Sequence, residues 1–189
     1  MSGFRFAFCI AAAALSVILA LEATAIVQNP VQNRPIDPFG LEVNVGAKTI
    51  IYVEGTANWN TAFEALTEAF KTLAEYLSKE GVKANGPSMT IYTSTDDIGF
   101  QFQAAVPIPR TPPNPPPNGV AIGRSPAGRA LKFVHRGSYD AMDNTYEAIT
   151  NYLDEKQLDT QDLFIEEYVT DLLKTPEPNL IINVLVPLK

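Results

Sequence analysis

The sequence has one cysteine and one histidine among its 189 residues, and this scarcity excludes several kinds of site. A typical zinc site takes several Cys or His ligands, and a disulfide takes two cysteines. Cys9 lies in an N-terminal segment that we expect to be removed, and His135 stands alone. The sequence also contains no G-x-S-x-G motif, phosphate-binding loop or H-E-x-x-H motif. We therefore expect no metal site, no cofactor and no cysteine nucleophile.

Basic residues are also few. The chain has 14 Lys and Arg residues against 21 Asp and Glu residues, which gives a formal net charge of −7. An acidic protein repels the phosphate backbone of DNA and RNA. No basic stripe or recognition-helix pattern offsets this charge, so the sequence predicts no nucleic-acid partner.

The N-terminus has the pattern of an export signal. Arg5 gives a positive start, an uncharged apolar run covers residues 6–21, and Ala23-Thr24-Ala25 provides small residues at a cleavage site. This pattern predicts a signal peptide over residues 1–25 and a periplasmic or secreted protein. A membrane-spanning helix needs about 20 apolar residues, so we expect no stable span after cleavage. The alternative is a signal that is kept as an anchor.

Two segments of irregular composition divide the rest of the chain. Residues 26–47 are rich in Pro, Asn and Gly, and they predict an irregular N-terminal tether. Residues 107–117 contain seven prolines, which favour extended polyproline II and predict a linker over residues 107–128. The linker separates a first half, residues 48–108, from a second half, residues 129–188.

The two halves share landmarks in the same order. The matched pairs are Gly55 with Gly137, Tyr92 with Tyr168, and Val106-Pro107 with Val186-Pro187. Each half has an apolar strand pattern, a helix with a 3.6-residue period, and two further strands with a period of 2. The pattern predicts a duplicated β-α-β-β unit with pseudo-twofold symmetry, in the α+β class.

The second half also carries the residues of a known family. They are Val134-His-Arg-Gly137-Ser-Tyr139, Tyr146 on the helix, Phe164-Ile-Glu166-Glu-Tyr168, and Asn183-Val-Leu-Val186-Pro187. In this order and spacing they resemble the GyrI-like effector-binding domain, which also forms the C-terminus of AraC-type and MerR-type multidrug-responsive regulators. The resemblance covers residues 48–188 and is strongest after residue 128.

The resemblance implies a fold and a kind of ligand. Antiparallel sheets of the two halves would surround a central cleft, with the helices outside. Members of the family bind hydrophobic and often cationic small molecules, and the position of their buried glutamate corresponds to Glu166. The chain departs from the regulators in having no DNA-binding segment and in carrying an export signal. The haem-binding SOUL proteins have a related fold, which leaves His135 open as an axial ligand, although no other feature supports it.

Glu166 is the main candidate for ligand binding because it is flanked by aromatic residues on one strand face. A carboxylate against aromatic rings loses hydration, so its pKa rises or it binds a cation. Phe164 and Tyr168 supply the flanking rings, and Thr90 and Tyr92 are the first-half counterparts of Glu166 and Tyr168. The other candidates for the cleft are Trp59, Tyr139 and Tyr146. Each of them could instead be a packing residue, and Glu167 could replace Glu166.

Three functions follow from these residues. The first is a small-molecule-binding protein of the periplasm, whose ligand is hydrophobic or cationic. The second is a hydrolase of electrophilic small molecules, in which Glu166 acts as a base and Tyr168 or Tyr139 as an acid. The third is an interaction module with a vestigial cleft, which would bind an unknown protein partner through the proline-rich loop or an edge strand.

Overall fold

The structure is a computed structural model that describes residues 39–189. The predicted signal peptide and residues 26–38 of the predicted tether lie outside these residues. The strands are β1 (Leu41–Val45), β2 (Thr49–Asn58), β3 (Met89–Thr95), β4 (Gly99–Pro107), β5 (Val120–Arg124), β6 (Gly128–Arg136), β7 (Phe164–Tyr168) and β8 (Ile181–Pro187). The helices are α1 (Ala62–Lys79) and α2 (Met142–Lys156). The predicted α+β class is confirmed.

All eight strands form one antiparallel sheet in the order β1-β6-β8-β7-β3-β4-β2-β5. The first half contributes β2, β4 and β3, and the second contributes β6, β8 and β7, so each half has the predicted β-α-β-β order. The halves join at the centre, where β3 pairs with β7 and Thr90 lies opposite Glu166. The sheets of the two halves, which we expected to be separate, therefore form one continuous sheet. Descent from a duplicated unit stays a prediction.

Two strands lie in segments that the composition predicted to be irregular. β1 falls inside the predicted tether and pairs with β6, and β5 falls inside the predicted linker and pairs with β2. Both are five-residue strands at the edges of the sheet. In β1, Leu41, Val43 and Val45 alternate with polar residues, which is the period of a strand with one packed face. Hydrogen bonds to the neighbouring strand stabilise β1 and β5 as strands, although the surrounding segments are rich in Pro and Gly.

Both helices contribute to the main hydrophobic core on one face of the sheet. The buried positions of α1 follow the predicted 3.6-residue period and include Leu66, Phe70, Leu73 and Leu77. They share that core with Met142 and Ile149 of α2 and with sheet residues such as Phe133. Within residues 39–189, neither helix is long and apolar enough to cross a bilayer.

The opposite face of the sheet carries a second, smaller apolar cluster. Its members are Ile50, Met89, Ile91, Ala105, Ala130, Ile165 and Leu185. Because side chains alternate along a strand, Ile165 points to this face and Glu166 points to the helices. We expected the cleft between two sheets, with the helices outside. The structure instead places Glu166 between the sheet and the helices, because the strand period fixes which face each residue joins.

Candidate ligand-binding site

Glu166 lies at the centre of the sheet and has no solvent exposure. Four tyrosine hydroxyl groups donate hydrogen bonds to its carboxyl group. Tyr146 and Tyr92 donate to Oε1 over 2.8 Å and 2.9 Å. Tyr168 and Tyr139 donate to Oε2 over 2.9 Å and 3.1 Å. The carboxyl group is therefore fully enclosed, and both of its oxygens are hydrogen-bonded.

The four tyrosines reach Glu166 from four parts of the fold. Tyr168 lies two residues further along β7 and so shares the face of Glu166, and Tyr92 lies on the neighbouring strand β3. Tyr139 lies in a short 3₁₀ turn that precedes α2, and Tyr146 lies in α2 itself. Seven residues correspond to about two helical turns, so these two side chains project toward the same region of the sheet.

Two further hydroxyl contacts extend this cluster. Thr90 Oγ1 lies 2.8 Å from the Tyr168 hydroxyl oxygen, and the Tyr92 and Tyr139 hydroxyl oxygens lie 2.8 Å apart. We call Glu166, Thr90 and the four tyrosines the hydroxyl cluster. Each oxygen in it has a hydrogen-bonding partner, as buried polar groups require.

Burial dominates the electrostatics of the cluster. Loss of hydration raises the pKa of the Glu166 carboxyl group above its ordinary value, and the four tyrosine hydrogen bonds oppose this rise only in part. Burial and the nearby Glu166 charge raise the pKa values of all four tyrosines well above their ordinary range. The phenol groups therefore stay protonated and act as donors.

A cavity of about 430 Å³ opens above the cluster. Glu166, Tyr92, Tyr139 and Tyr146 line it, together with apolar residues that include Phe63 and Met142. Four further carboxylates belong to the lining, namely Glu64, Asp140, Asp143 and Glu177. Among the described residues, those that line this cavity include no Lys or Arg. The cavity therefore combines aromatic walls with a negative potential.

A smaller hollow of about 370 Å³ shares Tyr92, Tyr146 and Trp59 with this cavity. Its lining also includes Phe164, whose ring centroid lies 5.5 Å from that of Tyr146. Trp59 donates from Nε1 to the backbone oxygen of Asp96 over 2.8 Å. Trp59 is 44% exposed, so it lies in the wall of the cavity rather than in the core as a packing residue.

Another hollow, of about 480 Å³, lies along β2, β3 and β4, away from the hydroxyl cluster. Asp96 is the one charged residue among its described lining residues. Since it offers no buried polar group comparable to Glu166, we assign the candidate site to the cavity above the hydroxyl cluster.

The structure brings all seven predicted site residues into one region. Glu166, Tyr92, Tyr139, Tyr146 and Tyr168 belong to the hydroxyl cluster, and Phe164 and Trp59 flank it. The sequence reasoning missed Phe63, whose ring packs against that of Tyr139 with the centroids 5.4 Å apart, and the carboxylates of the lining. Glu64 and Asp143 lie in the first turns of α1 and α2, where acidic residues are common, so their position alone gave no functional signal.

His135 lies apart from this site. Its Nδ1 lies 2.7 Å from Thr145 Oγ1, and its Nε2 lies 3.1 Å from the backbone oxygen of Ser138. Both ring nitrogens therefore have partners within the fold, which does not fit axial ligation of haem. Within residues 39–189 no group of three or more His, Cys, Asp or Glu side chains is arranged to hold a metal ion.

Comparisons with known proteins agree with this architecture. The GyrI-like small molecule binding domain model matches residues 42–189. The EcmrR C-terminal domain superposes with a TM-score of 0.62 at 12% identity, over 79% of this chain and 96% of that one. The chain spans 57% of the length of EcmrR in its DNA complex, with a TM-score of 0.67 at 11% identity over 79% of this chain.

Two other solved structures have the same fold. SAV2435 bound to tetraphenylphosphonium has a TM-score of 0.55 at 14% identity, over 79% of this chain and 93% of that one. A hydrolase from Listeria innocua has a TM-score of 0.55 at 12% identity, over 80% of this chain and 92% of that one. No curated protein matches the sequence.

Proposed function

Because the chain belongs to the GyrI-like small molecule binding domain family, we propose that it binds lipophilic monovalent cations in the cavity above Glu166. One observation carries the proposal. Glu166 is a fully buried acid, and the described residues that line the cavity beside it include no Lys or Arg. A buried charge is costly without a partner of opposite charge. A bound cation would provide that partner.

The walls of the cavity suit the apolar part of such a ligand. Tyr92, Tyr139, Tyr146 and Phe63 present aromatic rings to the cavity, and a cation gains further energy from the faces of such rings. The carboxylates of the lining attract a cation over longer distances. SAV2435, which shares the fold, has been solved bound to the lipophilic cation tetraphenylphosphonium, and this supports the choice of ligand class.

A hydrolytic function would require Glu166 to accept a proton from water. Four phenol groups already occupy the carboxyl oxygens, so a water molecule that donates its proton to Glu166 would have to displace one of these hydrogen bonds. We therefore place binding ahead of hydrolysis.

We also propose that the protein acts outside the cytoplasm. The support is the positive start, the apolar run and the Ala23-Thr24-Ala25 site at the N-terminus. Expression of the full sequence followed by N-terminal sequencing of the periplasmic fraction tests this proposal. We expect the recovered chain to begin at Ile26, whereas an intact Met1 in the membrane fraction would indicate an anchor.

The binding proposal is tested by titrating the protein with tetraphenylphosphonium. Replacing Glu166 with Gln removes the charge and keeps the shape, so we expect the binding free energy to weaken by about 2–5 kcal/mol. Glu167→Gln is the matched control, because Glu167 is the next residue on β7 and pairs with Lys48 over 3.1 Å. The proposal fails if wild type does not bind the cation, or if Glu166→Gln binds it as tightly as wild type and Glu167→Gln do.

A further inference from the structure

The hydroxyl cluster contains more short oxygen–oxygen contacts than its hydroxyl groups have protons, if Glu166 is ionised. Four contacts join the tyrosines to the carboxyl group. A fifth joins Thr90 to Tyr168, and a sixth joins Tyr92 to Tyr139. Five of the six are 2.8–2.9 Å long, within the range of O–H···O hydrogen bonds, and the sixth, between Tyr139 and Oε2, is slightly longer at 3.1 Å.

A hydroxyl group has one proton to donate, and the cluster has five hydroxyl groups. If Glu166 is ionised, five protons serve six contacts. The deficit falls in the triangle of Tyr92, Tyr139 and Glu166, where three contacts share two phenol protons. One of these three contacts, which are 2.8–3.1 Å long, would then have no proton between its two oxygens.

One additional proton on Glu166 completes the triangle. The carboxylic acid then donates from Oε2 to Tyr139, which reverses the direction that this contact has when Glu166 is ionised. Tyr139 donates to Tyr92, and Tyr92 donates to Oε1. Tyr146 and Tyr168 still donate to the carboxyl group, and Thr90 donates to Tyr168. All six contacts then have one proton each, and no charge is buried.

We propose that the empty site carries this proton on Glu166, and that a bound lipophilic cation replaces it. The proposal rests on the proposed function and adds a step to it. The O–H bond of the carboxylic acid breaks, the proton goes to solvent water or buffer, and the carboxylate pairs with the cation. The charge within the cavity is the same before and after binding, so the exchange avoids an unpaired buried charge in either state.

Every element packed around Glu166 contributes groups that bear on this exchange. Tyr92 comes from β3, Tyr168 from β7, Tyr139 from the 3₁₀ turn and Tyr146 from α2. Carboxylates come from α1, the turn before α2, α2 and the segment before β8, at Glu64, Asp140, Asp143 and Glu177. These negative charges favour both the retained proton and the incoming cation. Burial of Glu166 acts in the same direction, because it raises the pKa of that carboxyl group.

Isothermal titration calorimetry with tetraphenylphosphonium tests the release directly. The titration is run at one pH in phosphate, whose ionisation enthalpy is small, and in Tris, whose ionisation enthalpy is large. We expect the two heats to differ by an amount that corresponds to release of up to one proton per cation. We also expect affinity to rise by up to about tenfold per pH unit below the pKa of Glu166.

The variants separate Glu166 from the other acids of the cavity. Glu166→Gln keeps the carboxylates of the lining, and we expect its residual binding heat to be the same in both buffers. Glu167→Gln should release protons as wild type does. Cation binding by wild type with equal heats in both buffers would overturn the exchange and leave the proposed function intact. Absence of binding in every buffer would overturn both.

Infrared spectroscopy of the empty protein tests the proton without any ligand. We expect the difference spectrum between wild type and Glu166→Gln to contain the carbonyl stretch of a protonated carboxylic acid. Absence of that band would overturn the protonated state even if the cation binds. Presence of the band without cation binding would keep the protonated state and contradict the exchange together with the proposed function.

Discussion

A buried carboxyl group at the hydroxyl cluster is held by its hydrogen bonds rather than by an ion pair. Two phenols bond to each of its oxygens, so its rotamer and the positions of four aromatic rings are fixed together. Removing one donor leaves the others in place, but it also leaves a buried oxygen with one partner fewer. The cost depends on how completely water is excluded, and Glu166 has no solvent exposure.

Tyr146→Phe tests this coupling. The change removes the 2.8 Å hydrogen bond to Oε1 and keeps the ring, so we expect the free energy of unfolding to fall by about 1–3 kcal/mol. Urea denaturation followed by circular dichroism measures this change. Tyr152→Phe on the same helix is the control, and we expect its effect to be within about 0.5 kcal/mol. Equal losses in the two variants would show that the hydroxyl cluster adds no stability of its own.

At the residue scale, the sequence predicted which residues lie in the candidate site but not how they meet. Glu166 and Tyr168 follow from the alternation along one strand. The contact between Tyr92 and Glu166 depends on the pairing of β3 with β7, which are more than 70 residues apart in the chain. Nothing local in the sequence specifies that pairing, so the convergence of four hydroxyl groups on one carboxyl group could not be predicted.

The turn that leads into α2 links backbone conformation to the site. Gly137 has a φ of 134°, in a region that side chains other than glycine adopt at a cost. The turn places Tyr139 on Oε2 of Glu166 and beside Tyr92. A change in this turn therefore acts on the hydroxyl cluster as well as on the fold.

Gly137→Ala tests this link. A Cβ at Gly137 meets no atom within 4 Å, so the expected loss of about 1–3 kcal/mol comes from backbone strain alone. The measurements are the free energy of unfolding and the affinity for tetraphenylphosphonium, and we expect both to decrease. Gly46→Ala is the control, since a Cβ at that position also meets open space and Gly46 does not have a positive φ. A Gly137→Ala variant as stable as the control would contradict the argument.

At the element scale, periodicity predicted both helices and the six strands of the two halves. It missed β1 and β5 because composition was weighed over long segments, and the surrounding prolines and glycines concealed five-residue strands. The expectation that the helices lie outside a cleft between sheets came from the family resemblance instead. The continuous sheet arises from pairing between β3 and β7, and such long-range pairing leaves no signal in the spacing of apolar residues.

For the whole molecule, the raised pKa of Glu166 links stability to pH. The carboxyl group is harder to ionise in the folded state than its ordinary value of 4.5 implies. Its contribution to stability is therefore complete below that value and is lost as pH rises through the folded pKa. Carboxyl groups with lowered pKa values, such as Asp96 and Asp171, have the opposite dependence. The pH profile of wild type alone thus mixes the two effects.

The difference between wild type and Glu166→Gln isolates Glu166, because all the other carboxyl groups are present in both proteins. We expect the stability of wild type relative to the variant to decrease as pH rises above 4.5, with a slope of at most about 1.4 kcal/mol per pH unit. Urea denaturation at a series of pH values, without any cation, measures this difference. Saturating tetraphenylphosphonium should flatten the profile, since the bound cation stabilises the ionised form. A relative stability that instead increases with pH would mean that the empty site holds a carboxylate.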